Sequence, residues 1–408
     1  MVAVPDRSEV VIIGGGVIGC SIAYQLARRG QADVTVIERR RLTEGSTWHA
    51  AGLIGQLRSS PALTELMRLS VATYQALEAE SGYPTGWNPV GSVRVAASDE
   101  RLQELTRQVD VAHRIGLEAY LISAAEAAER FPLLSLVGVR GAAWVPTDGH
   151  ADPSQLTQAF AGGARDAGVR IVEHCHADAI EHSASHVTAI QTSRGRIECD
   201  VVVNATGMWG AQTARLAATD LAVGAVEHQY VVTGPLPGLP ADLPTLRDPD
   251  GRFYLKREGP GLLIGGWEDG TRMPWPAVPA DLGPELFPPD PERFEPLARA
   301  ASHRIPACAD IGVRTWVNGP IPFTPDAEPL IGIAVGLDNL FHCCGFPAGI
   351  AAAGGVGHAI AQWITGGDPD LDLSPFRPQR FGRPRQLGDR LIRAYASYYQ
   401  LAAISAGR

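Results

Sequence analysis

The feature that narrows the fold most is the run from Glu9 to Gly30, where an apolar stretch, Val10-Val-Ile-Ile13, breaks at Gly14-Gly-Gly16-Val-Ile-Gly19 and passes into a helical pattern. An unbroken apolar run of this kind reads as a strand buried on both faces, the signature of a parallel sheet. Each glycine has a separate reason. Gly14 permits the tight turn, Gly16 lets the backbone approach a pyrophosphate, and Gly19 lets helix and strand pack closely. The helix that follows offers unpaired N–H groups and a positive dipole end to phosphate. A second buried strand, Asp33-Val-Thr-Val-Ile-Glu38, ends in an acid where a ribose-binding carboxylate is expected, with Arg39 beside it. The motif predicts a dinucleotide but does not separate a nicotinamide from a flavin. No second such motif follows, which argues against a separate nicotinamide site.

Composition excludes several classes. With 45% hydrophobic and 19% charged residues and a net charge of −9, the 408-residue chain reads as globular and not as a nucleic-acid binder. No apolar run of ~18 residues predicts a membrane span. Met1 to Glu9 lack the apolar core of a secretory signal. The six scattered cysteines form no CxxC pair, so they read as reduced thiols of a cytoplasmic protein. His174 and His176 are read as alternating on a strand, without the convergent carboxylates or thiolates of a metal site, and no metal is expected.

Three further segments favour a flavin. Thr43 to Arg58 puts Ser46, Thr47 and His49 among glycines, suited to phosphate contact. Asp200 to Trp209 is a buried strand breaking at Ala205-Thr206-Gly207-Met208-Trp209, which returns the chain to the nucleotide at the carboxyl edge of the sheet. Gly345-Phe346-Pro-Ala-Gly349-Ile350 opens a small-residue helix whose N-terminus can face the flavin pyrimidine. Ala177 completes the cofactor candidates.

The segments GGGVIG, GSTWHAAGL, PTDGHADPSQLT, VVNATGMW, HQYVVT, LRDPDGRFYLKRE, VNGPIPFTPD and GFPAGIAAAGGVG, in this order between residue 10 and about residue 380, resemble the FAD part of dimethylglycine and sarcosine dehydrogenases, within the D-amino-acid-oxidase-like flavoenzymes. The resemblance implies an α/β fold in which a doubly wound, Rossmann-like FAD domain (1–90, 142–222, 322–380) is interleaved with an antiparallel-sheet substrate domain (91–141, 223–321). The resemblance further implies that His49 carries a covalent bond to the flavin; the alternative is a histidine that only packs against it. Leu, Ile, Tyr and Leu at helical spacing between Leu387 and Ile404 predict a helical tail, 381–408, that would cover the body of the chain or contact a partner. A cysteine-linked branch of the family has its cysteine in the stretch Gly319 to Phe323, where this chain has none.

The activity implied is oxidation of an amine at the carbon next to nitrogen, with hydride passing to flavin N5 and the imine then hydrolysed, to formaldehyde if the carbon was a methyl. His228 is the first catalytic candidate, with an ordinary pKa near 6.5 that suits it to take a proton from a substrate ammonium or to hold the neutral amine. Tyr254 is the second, although strand alternation allows either Phe253 or Tyr254 to face the flavin. Arg58 either clamps a substrate carboxylate or lies solvated at a helix start. Trp267 and Glu268 either touch the pocket or end a strand. Relatives that bind amino acids place a lysine near Ile350 to Ala353, where this chain has no base, which sets a bulkier biosynthetic amine beside a simple N-methyl amino acid. Leu263 stands where the oxygen-using branch has a lysine, so the acceptor is left open between oxygen and a redox partner. The larger relatives continue into a folate-binding region that this chain lacks, so free formaldehyde is expected. A flavin-binding module without turnover is the third reading.

Overall fold

The run Val10–Ile13 has no polar face, which suits only a strand covered on both sides. In the computed structural model, which describes residues 3–58, 60–382 and 386–400, it ends the strand Arg7–Ile13 at the centre of the first sheet. Parallel neighbours are Val34–Ile37 on one side and Gly195–Asn204 on the other, extended by Arg170–Val172 and Leu340–Cys344. Leu330–Ile333 closes one edge antiparallel, and the hairpin Ala177–Ser183/His186–Thr192 pairs antiparallel with Gly195–Asn204. The strand order places Arg7–Ile13 at a topological switch point, where ligands bind beyond the carboxyl ends of the strands.

Helix Val17–Arg28 packs between this sheet and helices Pro153–Asp166 and Gly349–Gly366, and Pro61–Ser81 packs in turn on Gly349–Gly366. The small residues of the last helix make that possible. A Cβ on Gly355 would strike the Leu66 carbonyl, and one on Gly357 the Ser21 hydroxyl. Ser21 Oγ donates to Ala353 O at 2.7 Å, and Tyr74 Oη to Ile350 O at 2.6 Å. The close packing fixes the helix N-terminus, Gly349-Ile350, over the carboxyl edge of the sheet.

The second sheet runs Val313–Phe323, Gly224–Thr233, Gly261–Gly266, Phe253–Glu258, Thr245–Asp248, Ser92–Ala96, Gly141–Val145, Tyr120–Ile122. All neighbours are antiparallel except Thr245–Asp248 beside Ser92–Ala96. Gly141–Val145 pairs with Ser92–Ala96, so the chain crosses back after Val145 and not at residue 142 as the sequence suggested. The strand's alternation, with buried inner positions against helix Asp99–Arg114, keeps it in this sheet. Both sheets are extensively cored: Ile12, Ile22, Leu26 and Phe160 pack around the first, and Phe131, Phe253, Leu255 and Ile305 behind the second. Helix Leu387–Ala396 covers the body of its own chain, with Leu391 and Tyr395 fully buried against Val226 and Phe323. Residues 401–408 of the expected tail lie outside the described residues.

Candidate active site

Two connected spaces open at the carboxyl edge of the first sheet. The larger is a groove of about 820 Å³, in the range of a cofactor pocket. It runs from Glu38 and Arg39 past Gly14, Gly16, Ser46 and Thr47 to Phe346, Gly349 and Ile350, with Ala177, Ala205, Thr206, Gly207 and Trp209 along its other wall. The smaller, about 110 Å³, lies where this groove meets the second sheet. Ala50, Ile321, Pro347, Gly349 and Ile350 border both.

The glycines act as the motif requires. Gly14 has φ +116°, and a Cβ there would stand 2.5 Å from Ala205 O. Gly19 lies under the turn outside the groove wall, where a Cβ would drive into the Gly14 carbonyl. Gly345 also misses the wall. Its φ of +74° and the Thr324 methyl against it make it a turn residue that delivers Phe346 to the groove.

Polar groups along the groove are partly spoken for. Glu38 accepts from the Gly15 amide at 2.7 Å and the Arg40 amide at 2.9 Å, and burial pushes its carboxyl up. Arg39 donates to Ala280 O at 2.6 Å and lies over the Trp209 ring at 4.9 Å. Ser46 donates to Pro320 O at 2.8 Å, so its proton ties two segments together. Thr47 Oγ1 accepts from Val17 N at 3.3 Å, which leaves its own hydroxyl proton for a ligand.

The stretch His174–Asp178 also lines the groove. His174 and His176 do not alternate on a strand: they lie in the connection between Arg170–Val172 and Ala177–Ser183, and His174 takes φ +54°. The Arg40 and Glu38 carbonyls accept from the His174 and Cys175 amides at 2.8 Å and pull the connection over the groove.

His49 faces the small cavity. It is 5% exposed, its Nε2 has no hydrogen-bond partner, and burial lowers its pKa to about 4. Its ring lies on Gly319, where a Cβ would come within 2.7 Å of His49 Cε1. A neutral, unpartnered ring nitrogen on the cavity wall is a nucleophile available to a ligand.

Cross-strand register builds the rest. Arg94 pairs with Arg247, Arg247 with Tyr254, and Tyr254 and Tyr230 both with Gly265, so these residues share one face of the second sheet. Arg247, Tyr254 and Tyr230 line the cavity. Gly265 makes space for the phenol, since a Cβ there would meet Tyr254 Oη at 2.5 Å. Phe253 points the other way into the core, fully buried with Leu255.

His228 lies 2.7 Å from Tyr254 Oη through Nε2 and 2.7 Å from Tyr395 Oη through Nδ1. Desolvation, with smaller contributions from His49 and Arg293, lowers its pKa to about 3. Burial thus disfavours its protonated form, which suits holding a neutral amine more than taking a proton from an ammonium. Burial likewise raises Tyr254 well above the usual phenol range. Behind His228, Trp267 packs at 5.0 Å and lines the cavity, while Glu268 points away to Gln229 (2.5 Å) and Arg293 (3.0 Å).

Two cations share the cavity with this pair. Arg58 reaches the cavity with its buried Nε unpartnered, and Arg247 is 6% exposed. Arg94, held by Gln108 and the Leu57 carbonyl, adds a third charge beside them, and its pKa falls to about 10 through burial and then Arg247. Asp148, the acid near them, is committed to Gln56 and Ser92. A buried surplus of guanidinium suits an anion. Arg247 escaped sequence reading, although its alternation with Thr245 in a strand bordering the tyrosine was a usable signal.

Residues 9–363 match the family described as FAD dependent oxidoreductase. The chain belongs to this family. It is 37% identical to the mitochondrial dimethylglycine dehydrogenase of Rattus norvegicus over 93% of this chain and 45% of that protein. It is 35% identical to the formaldehyde-forming 4-methylaminobutanoate oxidase of Paenarthrobacter nicotinovorans over 92% of this chain and 46% of that protein. The chain thus spans about half the length of these relatives. The crystal structure of L-proline dehydrogenase from P. horikoshii superposes with a TM-score of 0.82 at 29% identity, covering 94% of this chain and all of the other. As a member of the FAD-dependent family, the chain has a groove that fits its cofactor: glycines where backbone must approach, a carboxylate at the far end, and a helix N-terminus where the groove meets the cavity. Among the described residues, no helix is long and apolar enough to cross a membrane.

Proposed function

We propose that the protein oxidises a small N-methylated or otherwise substituted amino acid at the carbon next to nitrogen, with FAD in the long groove and bonded through His49. One observation carries the reading. A neutral His228–Tyr254 pair and the guanidiniums of Arg58 and Arg247 enclose one cavity that abuts the groove. That cavity thus offers one site for a carboxylate and another for an uncharged amine.

Bound FAD would supply the hydride acceptor. The protein's part is orientation. Arg58 and Arg247 hold the carboxylate, and Tyr254, braced by His228, holds the nitrogen. With His228 near pKa 3, the pair does not store the ammonium proton, so the substrate binds after losing it to solvent. The amine lone pair then stays available, and water hydrolyses the imine. An N-methyl substrate leaves formaldehyde, in keeping with the name of the Paenarthrobacter relative. The acceptor that reoxidises the flavin is oxygen or a redox partner, and Leu263, buried beside Tyr230 and Tyr254, provides no charge for oxygen.

The cavity volume favours a small substrate. At ~10–15 Å³ per water-sized group, 110 Å³ holds a short amino acid and not a bulky natural product. Arg247 also supplies the basic group that residues 350–353 lack.

The test is anaerobic mixing of the yellow protein with dimethylglycine, sarcosine and 4-methylaminobutanoate while flavin absorbance is followed. Bleaching by one of them names the substrate. If none bleaches the flavin, the reading as oxidation of a small N-methyl amino acid falls, and a bulkier biosynthetic amine or, after it, a non-catalytic flavin module takes its place. The covalent bond is tested separately: acid precipitation should give a yellow pellet, and His49→Ala should release the colour to the supernatant. A colourless pellet from the unaltered protein rules the bond out.

A further inference from the structure

The segment Leu387–Gln400 does more than cover a hydrophobic face. Tyr398 and Tyr399 line the small cavity together with Arg58, Arg247, Trp267 and Tyr254. Tyr398 stacks on Trp267 with ring centroids 3.8 Å apart and 24° between planes, and Tyr399 meets the same ring edge-on at 6.0 Å. One residue turn earlier, Tyr395 is fully buried and places its hydroxyl 2.7 Å from His228 Nδ1.

The segment is anchored, not merely laid down. Leu391 and Tyr395 fill a cluster with Val226 and Phe323. Arg252 donates to Ala396 O at 3.0 Å, and Arg101 donates to Tyr399 O at 2.7 Å. Arg101 is itself fixed by Asp250 at 3.1 Å and by Glu104. Carbonyls at both ends of the Ala396–Tyr399 turn are thus held by guanidiniums of the second sheet's side of the molecule. Such anchoring keeps two phenols on the wall of the cavity that Arg58 and Arg247 also line.

We propose that this segment is a wall of the amine site, in which Tyr398 and Tyr399 set how long an acid the cavity accepts and Tyr395 is a positioning residue for His228. The proposal deepens the reading above and rests on it for the nature of the ligand. A carboxylate held by Arg58 and Arg247 shares this cavity with the two phenols, so added chain length must be accommodated against them. Tyr395 and Tyr254 grip opposite nitrogens of one imidazole, which fixes its plane for the cavity-facing phenol.

The test of the wall needs no turnover. The flavin-loaded protein is titrated with straight-chain monocarboxylates from acetate to hexanoate, and binding is read from the perturbation of flavin absorbance. The unaltered protein is expected to prefer the short acids. Tyr398→Ala/Tyr399→Ala should shift the preference toward hexanoate by about tenfold or more, as expected for lost packing of ~1.4 kcal/mol. An unchanged preference in a double variant with an unchanged flavin spectrum overturns the proposal, and so does a parent protein that binds no carboxylate. If the double variant does not fold, Tyr399→Trp replaces it and should shift the preference further toward acetate; no shift overturns the proposal equally. A clear length preference in a protein that oxidises no amine would remove the amine reading and leave the wall. Tyr395→Phe keeps the ring in its pocket and removes only the hydroxyl. It should slow flavin reduction about tenfold, the worth of one good hydrogen bond, with KM little changed. Equal rates, or a rise in KM alone, would take the positioning role from Tyr395.

Discussion

The groove and the small cavity share five bordering residues, yet they are built by different means. The groove depends on backbone at a few positions: Gly14 and Gly16, the turn at Ala205-Thr206-Gly207, and the start of helix Gly349–Gly366. The cavity is made of side chains that arrive from distant places: His49, Arg58, His228, Arg247, Tyr254, Trp267, Tyr398 and Tyr399. A backbone site depends on a few positions at which no side chain is tolerated. A side-chain site tolerates local change but loses one specific interaction with each substitution. The two regions should therefore fail differently.

The largest effect is expected in the groove. Gly14→Ala asks a residue with a Cβ to adopt φ +116° and to sit 2.5 Å from Ala205 O. Backbone strain of ~1–3 kcal/mol, added to overpacking of similar size, should cut flavin content at least tenfold, measured as flavin per protein after purification. Full flavin content would mean that the groove yields more readily than a backbone-built site should, and the contrast with the cavity would weaken.

Next in size is Arg247 in the cavity. Arg247→Met keeps much of the volume and removes the charge. Losing one charged hydrogen bond costs about 1.5–3 kcal/mol, so the Kd for a short carboxylate or the KM for substrate should rise roughly 10- to 150-fold, with flavin content unchanged. Loss of flavin together with substrate affinity would show that the two regions are one structural unit after all.

The same division explains what was legible beforehand. The glycine motif, the second strand and the small-residue helix are local patterns, and the first sheet stands where they indicated. Glu38, Ala205 and Ile350 lie on the groove wall because their segments are short and stiff. The cavity depended on register. That Arg247 lies beside Tyr254 follows from strand pairing between Thr245–Asp248 and Phe253–Glu258, and local periodicity does not show which faces meet. Tyr395, Tyr398 and Tyr399 reach the site from the far end of the chain, so the spacing that predicted a helix could not tell what it covered. His228 was visible as a residue, but its low pKa comes from neighbours that only the folded chain assembles. His174 and His176 were read as strand residues because the sequence does not reveal the carbonyls of Glu38 and Arg40 that bend the chain there.

Acid stability makes a smaller and subtler comparison. His342, fully buried behind the groove with Asn204 at 3.1 Å, has its pKa lowered to about 4, and His228 in the cavity is lowered to about 3, both through burial. In the unfolded chain both return to about 6.5. Between that value and the folded values, the unfolded chain binds protons that the folded chain refuses, so each histidine removes ~1.4 kcal/mol per pH unit as pH falls below 6.5. Glu268 opposes them. Burial raises its carboxyl to about 7, so from pH 7 down to its unfolded value near 4.5 the folded chain is the one that gains the proton, and stability rises as pH falls. These three groups together leave a loss of about 1.4 kcal/mol per pH unit from pH 6.5 toward 5, to which His150, also lowered to about 4 by burial, and His358, lowered too, add, while Glu38, raised by burial, subtracts. His49, at about 4, adds a further share only while its Nε2 is unbonded. Urea midpoints measured at pH 7, 6 and 5.5 should show this decline. Glu268→Gln should steepen it and His228→Asn should flatten it, since each removes one of the opposing groups. Identical slopes for all three proteins would mean that His228 and Glu268 titrate as they do in water and that their surroundings are open to solvent.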